Sequence, residues 1–69
     1  MELAKLIGKN IKDARKLKGF TQTDVAKIFH MTQQQYSRFE NGVFELNYKQ
    51  IIAVCNLLEI SPNELFNFE

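Results

Sequence analysis

One six-residue pattern occurs four times in this sequence, and it strongly limits the folds that the chain can adopt. Each copy begins with an apolar residue, continues with Thr, Asn or Ser, carries Asp, Gln or Glu three positions later, and ends on a second apolar residue. The copies are FTQTDV (20–25), MTQQQY (31–36), LNYKQI (46–51) and ISPNEL (60–65). In a helix start of this kind, the two polar side chains bond each other's backbone amides and the two apolar residues pack together. The sequence therefore predicts four helix starts.

An opening helix and these four starts predict five helices in all. We expect them at about residues 3–18, 22–29, 33–40 and 48–58, with a short fifth helix that begins at residue 62. No stretch alternates between apolar and polar residues for long enough to form a strand. The predicted fold class is all-α: a compact five-helix bundle that forms one domain over residues 1–69.

Apolar residues recur at helical spacing in the first and fourth of these helices. In the first helix, the residues expected to face the core are Leu3, Ile7, Ile11, Ala14 and Leu17. In the fourth helix, they are Tyr48, Ile51, Ile52, Cys55 and Leu58.

The composition fits a small globular domain that is held together by its apolar core. Hydrophobic residues make up 45% of the chain, and Cys55 is the only cysteine, so it is expected to be a small buried hydrophobe. No apolar run approaches the roughly 18 residues of a membrane span, and the first residues lack the pattern of a signal peptide. We expect a cytoplasmic protein without membrane contact, and the completed fifth helix favours a whole protein or a clean domain.

The charges are distributed unevenly along the chain, although the net charge is only +1. Residues 1–20 contain six Lys or Arg against two acidic residues, whereas residues 21–69 contain three against six. This distribution predicts one basic end of the molecule. A solvated amphipathic helix would give the same pattern.

Only residues 30–32 separate the second helix from the third. A connection this short forces a sharp angle, which is the geometry of a helix-turn-helix, here over about residues 21–41. His30 occupies the turn position where glycine would be easiest, and His is among the few other residue types that tolerate a positive φ.

The third helix, which together with its cap is expected to cover about residues 33–41, carries three consecutive glutamines, and the capping pattern separates their roles. With Thr32 as the N-cap, Gln35 is expected to bond the backbone, while Tyr36 and Phe39 face inward. The outer side then carries Gln33, Gln34, Ser37, Arg38 and Asn41. Glutamine can bond adenine and arginine can bond guanine in the major groove of DNA. A solvated face without a ligand is the alternative, but its place directly after the short turn favours base reading.

The segment TQTDVAKIFHMTQQQYSRFENG (21–42) resembles the helix-turn-helix of Cro/C1-type (XRE-like) DNA-binding domains. Such domains occur in small phage repressors, restriction–modification controller proteins and many bacterial regulators. The matching elements are Gln22 at the second helix start, Ala26 at the helix crossing, Thr-Gln-Gln at 32–34 and Glu-Asn-Gly at 40–42. The flanking segments 8–22 and 57–66 also resemble that family.

The resemblance implies a role for individual side chains. The base contacts it implies are Gln33, Gln34, Ser37 and Arg38. The phosphate contacts expected at helix ends and beyond are Thr21, Gln22, Thr32, Asn41 and Lys49. Arg15 and Glu40 match an ion pair that ties the first helix to the third, with two unrelated surface charges as the alternative.

The loop after Gly42 departs from the family pattern. Some relatives carry basic residues there, whereas this chain has VFELNY (43–48) with Glu45 and, just beyond, Lys49. Because phosphate contacts supply most of the salt-dependent affinity, a single subunit is expected to bind DNA weakly. Phe44 is expected to belong to the core or to an interface.

These features predict a sequence-specific regulator of transcription, expected to be a repressor, that binds double-stranded DNA through the major groove. A homodimer on an inverted repeat would compensate for the weak single module. Leu65, Phe66 and Phe68 are the candidate interface, and packing onto the fourth helix is the alternative role for them. A different function for the same fold is that of an antitoxin or adaptor whose main role is to bind a partner protein.

The sequence offers little support for an enzyme. His30 and Cys55 have no metal-ligand spacing, there is no glycine-rich phosphate loop, and so small a domain has little room for a substrate cleft. We expect no catalysis, metal, cofactor or small-molecule substrate.

Overall fold

The computed structural model describes residues 3–68, and all regular structure among them is helical. The helices are α1 (Leu3–Leu17), α2 (Gln22–Ile28), α3 (Gln33–Glu40), α4 (Tyr48–Leu58) and α5 (Pro62–Phe66). The predicted all-α bundle of five helices is confirmed, with α1 and α2 each ending one residue earlier than expected. The expected domain limits include residues 1, 2 and 69, which lie outside the described residues. None of the helices within 3–68 has both the length and the apolar character needed to cross a membrane.

All four expected capping boxes are formed. Thr21, Thr32, Asn47 and Ser61 each accept a hydrogen bond from the amide three residues on, and the side chain at that position bonds back. At α3, Thr32 Oγ1 accepts from the Gln35 amide at 3.1 Å, and Gln35 Oε1 accepts from the Thr32 amide at 2.9 Å. Each cap contributes about 1 kcal/mol and fixes the residue at which its helix begins.

A compact turn joins α2 to α3. His30 adopts the left-handed conformation expected of it, with φ at 58°. The Met31 amide donates to the Ala26 carbonyl at 2.8 Å and the His30 amide donates to the Lys27 carbonyl at 3.2 Å, so both of these carbonyls near the end of α2 are satisfied. The turn therefore ends α2 within one residue and lets α3 begin at once.

The core collects side chains from all five helices. Its buried members are Ile11, Ala14, Val25, Ala26, Tyr36, Val54, Cys55, Leu58 and Leu65. Cys55 is buried as expected, and Phe39 is half-buried against the core.

The expected inward face of α4 was partly wrong. Tyr48 is 87% exposed and Ile52 is 62% exposed, whereas Val54 joins Cys55 and Leu58 in the core. At 3.6 residues per turn, the buried stripe lies about a quarter of a turn away from the Tyr48–Ile52 edge. The apolar part of α4 is wider than the contact that its neighbours make, so periodicity alone did not locate the buried side.

The expected inward face of α1 needs the same correction at its ends. Leu3 is half-exposed and Leu17 is almost fully exposed, while Gly8 and Arg15 are buried beside Ile11. The reason is that α1 packs against α3 through Gly8: a Cβ added there would lie 2.3 Å from the backbone oxygen of Glu40. This close approach turns the helix towards its glycine side and away from its terminal leucines.

Candidate nucleic-acid interface

A buried carboxylate at the end of α3 organises the helix-turn-helix. Glu40 is 4% exposed and accepts four hydrogen bonds. Its Oε2 accepts from Arg15 Nε at 2.6 Å and from the Tyr36 hydroxyl at 2.5 Å. Its Oε1 accepts from Arg15 Nη2 at 3.2 Å and from Gln22 Nε2 at 2.9 Å. One side chain therefore connects α1, α2 and α3.

The charges in this network stabilise one another. Burial by itself raises the pKa of Glu40, but the hydrogen bonds from Arg15, Tyr36 and Gln22 outweigh it and hold that pKa below its ordinary value. The bond to Glu40 raises the pKa of Arg15, and burial raises the pKa of Tyr36. Glu40 is therefore an anion at neutral pH, surrounded by a cation and a neutral phenol.

The network continues from the core to the outer face of α3. The Gln33 Nε2 donates to Gln22 Oε1 at 2.5 Å, while Gln22 uses its own amide group to donate to Glu40. Gln33 keeps a free carbonyl oxygen and a second amide hydrogen. These are the acceptor and donor that bidentate recognition of adenine requires.

The other expected base-reading residues lie along the same face. Gln34 is exposed, and its side chain makes no hydrogen bond to residues 3–68. The Arg38 guanidinium lies 5.7 Å above the ring centroid of Phe44, whose ring meets Phe39 edge-on at 5.8 Å. Ser37 is half-buried, and its hydroxyl accepts from Asn41 Nδ2 at 3.3 Å.

The expected phosphate contacts occupy different positions around this face. Thr21 and Thr32 are exposed at the starts of α2 and α3, where their hydroxyl oxygens cap the helices. Asn41 is the exposed C-cap of α3, and Lys49 is exposed in the first turn of α4, outside the helix-turn-helix. Gln22 is half-buried, and both ends of its amide are engaged with Glu40 and Gln33.

The three C-terminal apolar residues have different environments. Leu65 is fully buried in the core of the single chain, so it is not part of a surface that a second copy could contact. Phe66 is half-buried and lines an apolar groove of about 180 Å³ together with Ile7, Phe44 and other side chains. Phe68 is 73% exposed.

Two contributors to this site were not expected from the sequence. Tyr36 was assigned to the core, but its hydroxyl also donates to Glu40, and the spacing of four residues on one helix was the available signal. Phe44 supports Arg38 from the loop, and no pattern in the sequence indicated that contact. Within residues 3–68, no three His, Cys, Asp or Glu side chains come together to hold a metal ion.

Comparison with known proteins places the chain in a family. The model of a helix-turn-helix family matches residues 11–65. Antitoxin PezA of Streptococcus pneumoniae is 36% identical over 56 residues, which cover 81% of this chain and 35% of PezA. The uncharacterized HTH-type transcriptional regulator YqaE of Bacillus subtilis is 33% identical over 64 residues, which cover 93% of this chain and 55% of YqaE.

A third relative is the SPbeta prophage-derived uncharacterized HTH-type transcriptional regulator YonR of Bacillus subtilis. It is 30% identical over 60 residues, which cover 87% of this chain and 56% of YonR. This chain thus spans between about a third and just over half of the length of the relatives that it matches. Among solved structures, none gives a significant match. The chain belongs to the Cro/C1-type (XRE-like) helix-turn-helix family.

Proposed function

We propose that this protein is a repressor that binds an inverted-repeat site in double-stranded DNA as a homodimer, with α3 in the major groove. The observation that carries the proposal is the chain of hydrogen bonds from the buried Glu40 through Gln22 to Gln33. A glutamine that only caps its helix or only faces solvent is not expected to be held in place by such a chain. A dimer bound over a promoter would then lower transcription by blocking access to it.

In this proposal, the outer face of α3 reads bases and the helix ends contact the backbone. Gln33 and Gln34 are suited to adenine and Arg38 to guanine, with Ser37 between base and backbone. Phosphate oxygens are contacted by Thr21, Gln22, Thr32 and Asn41, and by Lys49 from α4. For Gln22, the backbone amide at the start of α2 is the suitable donor, because its side chain is already engaged.

The support of Gln33 has an energetic consequence. A free glutamine loses about 1.5–2 kcal/mol of rotamer freedom when it is fixed against a base. Gln33 is already held by Gln22 at 2.5 Å before DNA arrives, so less of that entropy is lost on binding. Arg38 is restrained in a similar way over the ring of Phe44.

The dimer in this proposal follows from the limits of a single module. One small domain supplies few contacts, whereas two domains on half-sites roughly 34 Å apart combine their contacts on one face of the duplex. Phe66 and Phe68 are the proposed contacts with the second copy. Their support is the high exposure of Phe68 and the place of Phe66 at an apolar groove.

Selection of binding sites from a random duplex pool tests the function. The wild type and the Gln33→Ala/Gln34→Ala variant are compared at moderate salt, with Asn56→Ala as the control. Asn56 is an exposed amide on α4, away from the proposed reading face. We expect the wild type and Asn56→Ala to enrich an inverted repeat with half-sites about one turn apart, and the double variant to lose most of that preference. Equal, non-selective binding by all three proteins would contradict the proposal.

A second candidate function is that of an antitoxin whose main ligand is a partner protein. It is favoured by the 36% identity with antitoxin PezA. In that case Gln33→Ala/Gln34→Ala should leave a co-purified partner complex intact, because α3 would not form its interface. Co-expression with a candidate partner and a pull-down of each variant separate the two functions.

A further inference from the structure

Four lysines form a stripe along α1 that the proposed base-reading site does not use. Lys5, Lys9, Lys12 and Lys16 are all exposed, and they follow one another at spacings of four, three and four residues. At 100° per residue they fall within roughly 60° of the helix circumference, over a length of roughly 16 Å. We call this surface the lysine stripe.

The lysine stripe lies on the flank of α1 that adjoins α3. Gly8 and Arg15, which contact Glu40, are the buried residues next to the stripe on the helical circumference. A Cβ added to Gly42 would lie 2.5 Å from Lys5 Cγ, which places Lys5 directly beside the end of α3. The opposite flank of α1 faces α5, because Asn10 Nδ2 donates to the Leu65 carbonyl at 2.9 Å.

The positive charge of the stripe is only partly compensated within the molecule. Lys9 bonds Asp13 at 3.1 Å in an exposed pair of the kind that contributes little. Lys12 and Lys16 have no hydrogen-bond or ion-pair partner among residues 3–68. The nearby carboxylate of Glu40 is buried and already paired with Arg15. Lys12 and Lys16 therefore leave net positive charge on the flank of α1 that adjoins α3.

We propose that the lysine stripe is a second DNA-contacting surface, which binds the phosphate backbone flanking the bases that α3 reads. This inference rests on the proposed function and adds to it. Residues 43–47, which follow α3, contain no Lys or Arg, whereas the stripe supplies exposed lysines on the flank of α1 that adjoins α3. The stripe is long enough to face several phosphates, since each strand presents one about every 3.4 Å of duplex axis.

The test is the salt dependence of DNA binding by single and double lysine variants. Lys12→Gln, Lys16→Gln and their combination are compared with Lys18→Gln. Lys18 is a matched control because its loss changes the net charge equally, yet it pairs with Glu59 at the end of α4, on the other side of α1. Affinity is measured over a range of salt concentrations on a duplex that contains the selected site and extends beyond it.

We expect each stripe substitution to reduce the slope of log K against log salt by about 0.9, or roughly fivefold in affinity near 0.15 M salt. Lys18→Gln should leave the slope unchanged. The change in slope caused by the stripe substitutions should become smaller when the base pairs that flank the selected site are removed from the duplex. Thermal unfolding checks that the variants remain folded, which we expect because all of the substituted side chains are exposed.

Two outcomes would overturn the inference. One is an unchanged slope in the Lys12→Gln/Lys16→Gln protein. The other is a reduction of the slope by Lys18→Gln as large as that caused by a single stripe substitution, which would indicate only a long-range effect of net charge. Failure of the proposed function looks different, because no site would then be enriched from the random pool. In that case the slopes are measured on a mixed-sequence duplex, and they decide in the same way whether the lysine stripe contacts phosphates.

Discussion

At the scale of single residues, Glu40 is the one carboxylate that is buried among residues 3–68. Taking a carboxylate out of water costs several kcal/mol, and the cost is offset only by good geometry and complete hydrogen bonding. Glu40 meets that condition with a paired guanidinium, a phenol and an amide. Removing a partner from this group is therefore expected to destabilise the fold more than removing any exposed charge.

Tyr36→Phe removes one hydrogen bond from Glu40 and keeps the buried ring. A bond between a neutral donor and a buried anion contributes about 1.5–3 kcal/mol, so the free energy of unfolding should fall by that amount at pH 7. Urea unfolding measures it. Tyr48→Phe is the control, because Tyr48 is 87% exposed and the same chemical change should have no effect there. Equal effects of the two substitutions would contradict this account.

The same network predicts a pH dependence. The pKa of Glu40 in the folded protein lies below its ordinary value of 4.5, so its charged form stabilises the fold. That contribution is complete above pH 4.5 and is lost as the pH falls through the lower, folded-state pKa. The stability difference between wild type and Tyr36→Phe should therefore shrink on acidification. Urea titrations at successive pH values below 4.5, compared with pH 7, check this, and a difference that grows on acidification would contradict it.

At the scale of the helices, the contact between α1 and α3 depends on the absence of a side chain at Gly8. In most helix interiors, Gly→Ala stabilises by about 1 kcal/mol. At Gly8 the added methyl group would lie 2.3 Å from the Glu40 oxygen and 2.5 Å from the Phe39 oxygen, both of them backbone atoms. We expect Gly8→Ala to destabilise by about 1–3 kcal/mol, because the two helices must move apart.

The pair Lys12→Gly and Lys12→Ala supplies the reference for that experiment. Lys12 is an exposed position about one turn further along α1, so the difference between the two variants measures helix propensity without a tertiary contact. Chemical denaturation of all four proteins isolates the contact at Gly8. An increase in stability on Gly8→Ala would show that α1 and α3 do not approach as closely as described.

At the scale of the whole molecule, the proposed dimer depends on apolar surface that the single chain leaves exposed. Phe68→Ser should weaken self-association at least tenfold, since a largely buried phenylalanine contributes about 1.5–3 kcal/mol. Leu17→Ser is the control, because Leu17 is 90% exposed and lies at the end of α1, outside the proposed interface. Sedimentation over a range of protein concentrations measures both. A Phe68→Ser protein that associates like the wild type would remove this residue from the interface.

Local chemistry in the sequence determined where the helices begin. The four capping boxes formed as predicted because each involves residues only three apart, whose bonds do not depend on the rest of the fold. The left-handed His30 and the bond from Gln35 back to Thr32 are local in the same sense. For this reason the all-α class, the five helices and the helix-turn-helix could be predicted from the sequence.

Tertiary structure alone decided which sides of those helices meet. The exposure of Tyr48 and Ile52 depends on how α4 lies against its neighbours, which no periodicity within α4 specifies. The link from Gln22 to Gln33 joins residues eleven apart across a helix crossing, and the contact of Gly8 with Glu40 spans more than thirty residues. Contacts of this kind depend on the relative placement of whole helices, which is fixed only when the entire core packs.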